Sequence, residues 1–235
     1  MKHPLPARPS LGEHDGLSYA LFLPDETPRA GVVICHGAGS AKESHFDFAR
    51  TARDRGMAAL AYDARGHGRS AGELGPGLAG DALAMCDLMR EHAPAVALRG
   101  SSLGGFTAIM AAAASHGSVG AVVALCPAPG ELLARALHPP EPRELAFRAD
   151  VERLEPWLAS VSLTEAAASL GPRTALLLMH ARGDESVPYT VSEELFEAAA
   201  EPKRLLLVPG GHHRSLQHDL EMQNEALRFA ERALG

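Results

Sequence analysis

Ser102 stands inside Gly100-Ser101-Ser102-Leu103-Gly104, a G-x-S-x-G spacing between the apolar run 95–98 and an alanine-rich stretch of helix-forming residues. A serine at the apex of a tight strand-to-helix turn is held in strained backbone with its hydroxyl exposed. The flanking glycines serve where a Cβ would collide with the adjoining strand and helix. Such a serine is built for nucleophilic attack, but its hydroxyl is a weak nucleophile at neutral pH. A base must take its proton, and an imidazole of ordinary pKa near ~6.5 suits that task. Two later stretches supply partners: Ala181-Arg182-Gly183-Asp184 and Pro209-Gly210-Gly211-His212-His213 each follow an apolar run of strand length. A carboxylate such as Asp184 holds a catalytic imidazole in one tautomer and stabilises the imidazolium formed during attack. A five-residue pattern of small residues by itself equally describes a turn without chemistry. The order Ser, Asp, His at successive strand ends is what gives it weight.

The elements that must position these residues are legible as short aliphatic runs at 31–37, 57–63, 95–101, 119–127, 174–180 and 203–210. Each is apolar on both faces, as strands of a covered parallel sheet are. Helical patterns at 45–55, 77–92, 104–116, 191–200 and 216–234 lie between them. This alternation predicts an α/β fold, a doubly wound and mostly parallel sheet flanked by helices, in one domain spanning 1–235. It fails once, at 127–171, where proline punctuation predicts an insertion that includes two short helices broken near Pro156. Such an excursion belongs over the carboxyl ends of the strands as a small lid, lined by Leu132, Leu133, Leu137, Phe147, Leu154, Trp157 and Leu158. Arg135, Arg143 and Arg148 in the same segment read as solvated helix faces.

Four stretches together carry a family resemblance: HGAGS at 36–40, YDARGHGRSAG at 62–72, GSSLGG at 100–105 and HARGDESVP at 180–188. In this order, at strand ends, they resemble the α/β-hydrolase superfamily over nearly the whole chain. The nearest likeness is to small serine esterases and to the serine-aminopeptidase-like and dienelactone-hydrolase-like branches. The resemblance implies a triad of Ser102, Asp184 and His213, with the backbone N–H groups of Leu103 and Ala38 as oxyanion donors. The family's G-x-x-H pattern selects His213 when counted from Gly210 and His212 when counted from Pro209. It also implies that the segment with Asp63, Arg65, His67 and Arg69 organises a strand end, and that His36 shapes its loop. The activity expected is hydrolysis of a carboxylic ester or thioester through an acyl-serine. The alternatives are a peptide, amide or lactone bond, or a ligand-binding protein without turnover.

Composition narrows the rest. A formal charge of −7 without any basic block argues against nucleic acid and anionic membranes as partners, leaving a small-molecule acyl substrate. Cys35, Cys86 and Cys126 lack metal or redox spacing and read as small buried hydrophobes. The twelve histidines, including the cluster His212, His213 and His218, match no zinc pattern, and GSSLGG lacks the G-x-G-x-x-G of a dinucleotide site, so neither metal nor cofactor is expected. The start of the chain has prolines and charges where a signal peptide needs an apolar core, from which a cytoplasmic location is expected. Nothing in the composition specifies oligomeric state.

Overall fold

The computed structural model describes residues 8–138 and 145–235; Arg143 lies outside the described residues. A hairpin opens the sheet, β1 (Ser10–His14) and β2 (Leu17–Phe22). Asp15 and Gly16 at its tip have φ of 51° and 76°, the paired positive values that a two-residue hairpin turn requires. The strands β3 (Ala30–Cys35), β4 (Ala58–Tyr62), β5 (Ala95–Ser101), β6 (Ala121–Leu125), β7 (Ala175–Ala181) and β8 (Lys203–Val208) follow. The order in the sheet is β1-β2-β4-β3-β5-β6-β7-β8, antiparallel through β2 and β4 and parallel from β4 to β8. The expected doubly wound α/β architecture is therefore present, with an antiparallel hairpin added at one edge.

Alternation along the central strands builds two apolar layers. Val33, Leu60, Leu98, Val122 and Leu178 face α2 (Leu78–Arg90), α3 (Leu103–Ala114) and α7 (Thr190–Ala198). Val32, Ile34, Ala61, Val123 and Met179 face α1 (Phe46–Asp54) and α8 (Leu220–Leu234). The last helix starts at Leu220 rather than at 216, because the Asp219 carboxylate accepts the Met222 N–H at 3.0 Å and caps it there. Among the described residues, no helix is long and apolar enough to cross a membrane.

Between β6 and β7 lie α4 (Gly130–Ala136), α5 (Val151–Ser160) and α6 (Leu163–Ala168). Pro156 sits inside α5 rather than at a break. It is on the exposed face beside exposed Glu152, the residue whose carbonyl loses its intrahelical donor there, so water can satisfy that oxygen. The break falls at extended Val161, and the Ser162 hydroxyl then caps α6 by accepting the Glu165 N–H at 3.1 Å. The segment entering α5 is anchored to the loop after β4: Leu74 N–H donates to Arg148 O and Asp150 N–H to Leu74 O, at 2.9 and 3.0 Å.

Candidate active site

Ser102 lies between the last residue of β5 and the first of α3, with φ 57° and ψ −117°. A non-glycine residue holds such a conformation only when its surroundings impose it. Here the Ser102 N–H donates to Leu125 O on β6 and the Ser102 carbonyl accepts the first helical amide, from Phe106. A Cβ on Gly104 would lie 2.0 Å from Cys35 O, and one on Gly100 2.0 Å from Gly104 O. Both glycines are thus required by backbone packing, which lets α3 start directly against β3. Leu103 N–H occupies the first position of α3, where a helix has no internal acceptor.

Asp184 and His213 are brought together by the loops after β7 and β8. His213 Nδ1–H donates to Asp184 Oδ2 at 2.8 Å, and the Asp184 side chain is fully buried. Oδ1 accepts the N–H groups of Ser186 and Val187, each at 2.8 Å. Burial alone would raise the Asp184 pKa, but hydrogen bonds from His180, His213, Val187 and Ser186 outweigh it and hold the group well below the usual carboxylate range. The two loops meet through Gly183, whose N–H donates to Gly210 O at 2.9 Å; a Cβ there would lie 2.4 Å from Gly211 O.

His180 is a supporting residue to which the sequence reading assigns no role. Fully buried at the end of β7, it donates from Nε2 to Val187 O at 3.0 Å with Asp184 Oδ2 at 3.4 Å, and accepts the Ser192 hydroxyl at Nδ1. A lone histidine in the otherwise aliphatic strand ALLLMHA was the available signal. Cys126, at the end of β6 with φ 43°, places its thiol in the same neighbourhood. Its sulfur, an Asp184 oxygen and a His213 nitrogen lie within 4.8 Å of one another, and burial above all keeps the thiol protonated. All three cysteines are free and buried.

His212 is exposed and turns to its own loop, its Nδ1 accepting Arg214 N–H at 3.3 Å and its N–H donating to Ser215 Oγ at 3.0 Å. Ala38 sits in the loop after β3, shaped by two histidines. His36 donates from Nδ1 to Gly37 O at 2.8 Å and accepts Ala64 N–H at Nε2; burial lowers its pKa to about 4 and keeps it neutral. His67 accepts Gly39 N–H at 3.1 Å and stacks on Phe147. Asp63 is wholly buried, accepting Lys42 N–H at 2.8 Å, Lys42 Nζ at 2.5 Å and Arg69 N–H at 2.9 Å. The polar cluster at 63–69 therefore organises the loops around Ala38 and Ser102. Lys42, only 2% exposed, is a member of it that sequence reasoning missed.

Two cavities share Ala38 as a wall. One of about 120 Å³ is bordered by Ser102, His213, Ala38, Arg214, Gln217 and His218. The other, about 220 Å³, runs from Ala38, Gly39 and Leu103 beneath α4 and α5 and is almost wholly apolar. Leu133, Leu137, Phe147, Leu154 and Leu158 line it as expected from the sequence. Leu132 and Trp157 do not: Leu132 packs against the core, and the Trp157 ring meets Phe106 edge-on at 5.8 Å.

This mostly parallel eight-stranded sheet, with the loops after β3, β5, β7 and β8 converging at one end, is that of an α/β hydrolase. Residues 26–149, more than half of the chain, match the family Hydrolase_4, serine aminopeptidase S33, and the chain belongs to that family. Among curated proteins it is 26% identical over 202 residues to the uncharacterized protein YfhR of Escherichia coli O157:H7, covering 82% of this chain and 67% of that protein. Est1E from Butyrivibrio proteoclasticus, solved with ferulic acid bound, superposes with a TM-score of 0.74 at 20% identity over 96% of this chain and 99% of that one. The monoacylglycerol lipase of Paleococcus ferrophilus gives 0.70 at 23% identity over 93% and 98%. The chain is thus a hydrolase by family, with the fold of the α/β hydrolases.

Proposed function

We propose that this hydrolase acts through an acyl-serine, cleaving a carboxylic ester or thioester of a small acyl substrate. The observation that carries the reading is the shared cavity: positive-φ Ser102 and the Asp184-bonded imidazole of His213 border the same space at the carboxyl end of the sheet. His213 takes the Ser102 proton as the hydroxyl attacks the carbonyl, and Asp184 fixes the tautomer that leaves Nε2 free to accept it. The oxyanion is met by the N–H groups of Leu103 and Ala38. His213 then gives the proton to the departing alcohol or thiol, and water repeats the sequence to release the acid.

Proton delivery from His213 assigns the leaving group to the polar cavity, which leaves the apolar cavity under α4 and α5 for the acyl chain. Helices α4 and α5 serve as the roof of that chain site. Both cavities fall below the ~300–1,000 Å³ of pockets for drug-sized ligands, which favours a short or medium chain. An ester is preferred to an N-terminal peptide bond because no carboxylate side chain lines either cavity among the described residues, and a protonated α-amine needs one. The test is a series of linear acyl esters from acetate to palmitate, assayed with wild type and Ser102→Ala. The expected result is turnover that peaks at short or medium chains and is lost in the variant; turnover that survives Ser102→Ala would overturn the assignment.

A further inference from the structure

The wall of the polar cavity carries a charge pattern at odds with the chain as a whole. The protein has a net charge of −7, yet the described residues lining this cavity include four serines, one glutamine, His213, His218 and Arg214, and no carboxylate. The nearby acids face other partners. Asp184 is bonded to His213 from behind, Glu185 accepts the His213 N–H at 3.1 Å without lining the cavity, and Asp47 accepts from His218 and Gln223, each at 2.8 Å. His218 is consequently directed at Asp47 by its Nδ1, while its Nε2 faces the Gln217 amide at 2.9 Å. The Arg214 side chain is exposed to solvent and has no ion pair or hydrogen bond among the described residues, and it follows His213 directly in the chain. A solvent-exposed guanidinium at the rim of a wall without carboxylates, next to the residue that protonates the leaving group, keeps its fork of donors available to an anionic substrate group.

We infer that Arg214 is a specificity-determining residue that selects substrates whose leaving group carries a carboxylate or phosphate. The inference rests on the acyl-serine reading, since it is His213 that defines this cavity as the leaving-group side. A small anionic alcohol or thiol fits the cavity of about 120 Å³, with Arg214 holding its charge and the serines Ser40 and Ser44 available as hydroxyl donors. Cleavage is balanced as ordinary hydrolysis: the acyl–oxygen or acyl–sulfur bond breaks, a bond to Ser102 Oγ forms, and the serine proton passes through His213 to the leaving atom. Water later supplies the hydroxyl of the released acid.

The test uses three butyryl esters of matched acyl group: O-butyrylglycolate, the neutral O-butyrylglycolamide, and 2-(butyryloxy)ethyl phosphate. Butyrate release is measured for wild type, Arg214→Ala, Arg214→Lys and Arg214→Glu, and the readout is the ratio of kcat/KM for each anionic ester to that for the amide. Taking the ratio within each enzyme cancels that enzyme's overall activity, and comparing the ratio between variants cancels the intrinsic reactivity of the esters. The expected ratio falls about tenfold in Arg214→Ala, equivalent to ~1.4 kcal/mol. It falls further in Arg214→Glu, is partly restored in Arg214→Lys, and declines in wild type at high salt. The glycolate and phosphate arms show which oxyanion is preferred. Ratios that do not change with the residue at 214 overturn the inference. So does failure to cleave any of the three esters by an unlabelled enzyme whose Ser102, in a separate sample, still reacts with a fluorophosphonate, and that result leaves the acyl-serine reading standing. Absence of the label removes both.

Discussion

Replacing Asp184 by Asn changes one atom and, through the hydrogen bonds around it, the protonation of His213. In the native site Oδ1 accepts the Ser186 and Val187 amides at 2.8 Å, while Oδ2 faces His213 Nδ1 at 2.8 Å and His180 Nε2 at 3.4 Å. An asparagine keeps its carbonyl oxygen toward the two amides, which puts its NH₂ opposite His213. That NH₂ donates to Nδ1, moves the ring proton to Nε2 and removes the base, a change of tautomer worth about 10⁴ in kcat, or ~5.4 kcal/mol. The escape is to flip the amide so that its oxygen faces His213, but then two backbone donors meet an NH₂ group. A buried donor left unpaired costs about 1–3 kcal/mol; that applies to the Val187 amide, whereas the exposed Ser186 amide turns to water, so the flip costs ~1–3 kcal/mol. Even the cheapest flip leaves a loss of about 5-fold. Because the flip is cheaper than the change of tautomer, Asp184→Asn should lose between ~5-fold and ~150-fold in kcat on a butyrate ester, with a circular dichroism spectrum like that of wild type. A folded variant that keeps more than a third of the wild-type rate would refute this account of how Asp184 acts.

His213→Ala should abolish ester turnover and His212→Ala should leave most of it; the opposite result would transfer the base to His212. Gly104→Ala should cost ~3 kcal/mol or more in urea denaturation and take the activity with it, because the new Cβ meets the Cys35 carbonyl at 2.0 Å and no flexible side chain can yield. A variant with the native midpoint and rate would contradict the packing argument. Acidification should weaken the fold in two stages. His36 is held neutral with its pKa lowered from 6.5 to about 4, so the unfolded chain binds the extra proton and about 3 kcal/mol is lost as pH falls through that window. Asp63 and Asp184 have depressed values, so their stabilisation is present above the unfolded ~3.9 and is lost on further acidification. Denaturation midpoints between pH 7 and pH 4 check the first stage, and a flat profile there would count against a buried neutral His36.

The central sheet was legible because its strands are aliphatic runs apolar on both faces, and the elbow because Gly100 and Gly104 mark where backbones touch. The β1–β2 hairpin was missed even though Asp15-Gly16 is a strong turn signal: Ser10–His14 is short and mostly exposed, so it carries little hydrophobic pattern. Proline punctuation placed the helix break near Pro156, whereas it falls at Val161, where the Ser162 cap decides it. The roles of His180 and Lys42 were out of reach for a different reason. Each acts through partners distant in space, Val187 with Ser192 and Asp63, and only the folded loops bring those groups within reach. The polar and apolar cavities likewise arise from elements far apart in sequence, so residue types alone suggested a lining without separating its two halves.

The central claim is that Ser102 is an activated nucleophile, and intact mass after exposure to a fluorophosphonate probe tests it most directly. Wild type should gain a single adduct that maps to the peptide containing Ser102, and Ser102→Ala should gain none. A wild-type protein that stays unlabelled, or an adduct that persists in Ser102→Ala, would contradict the account.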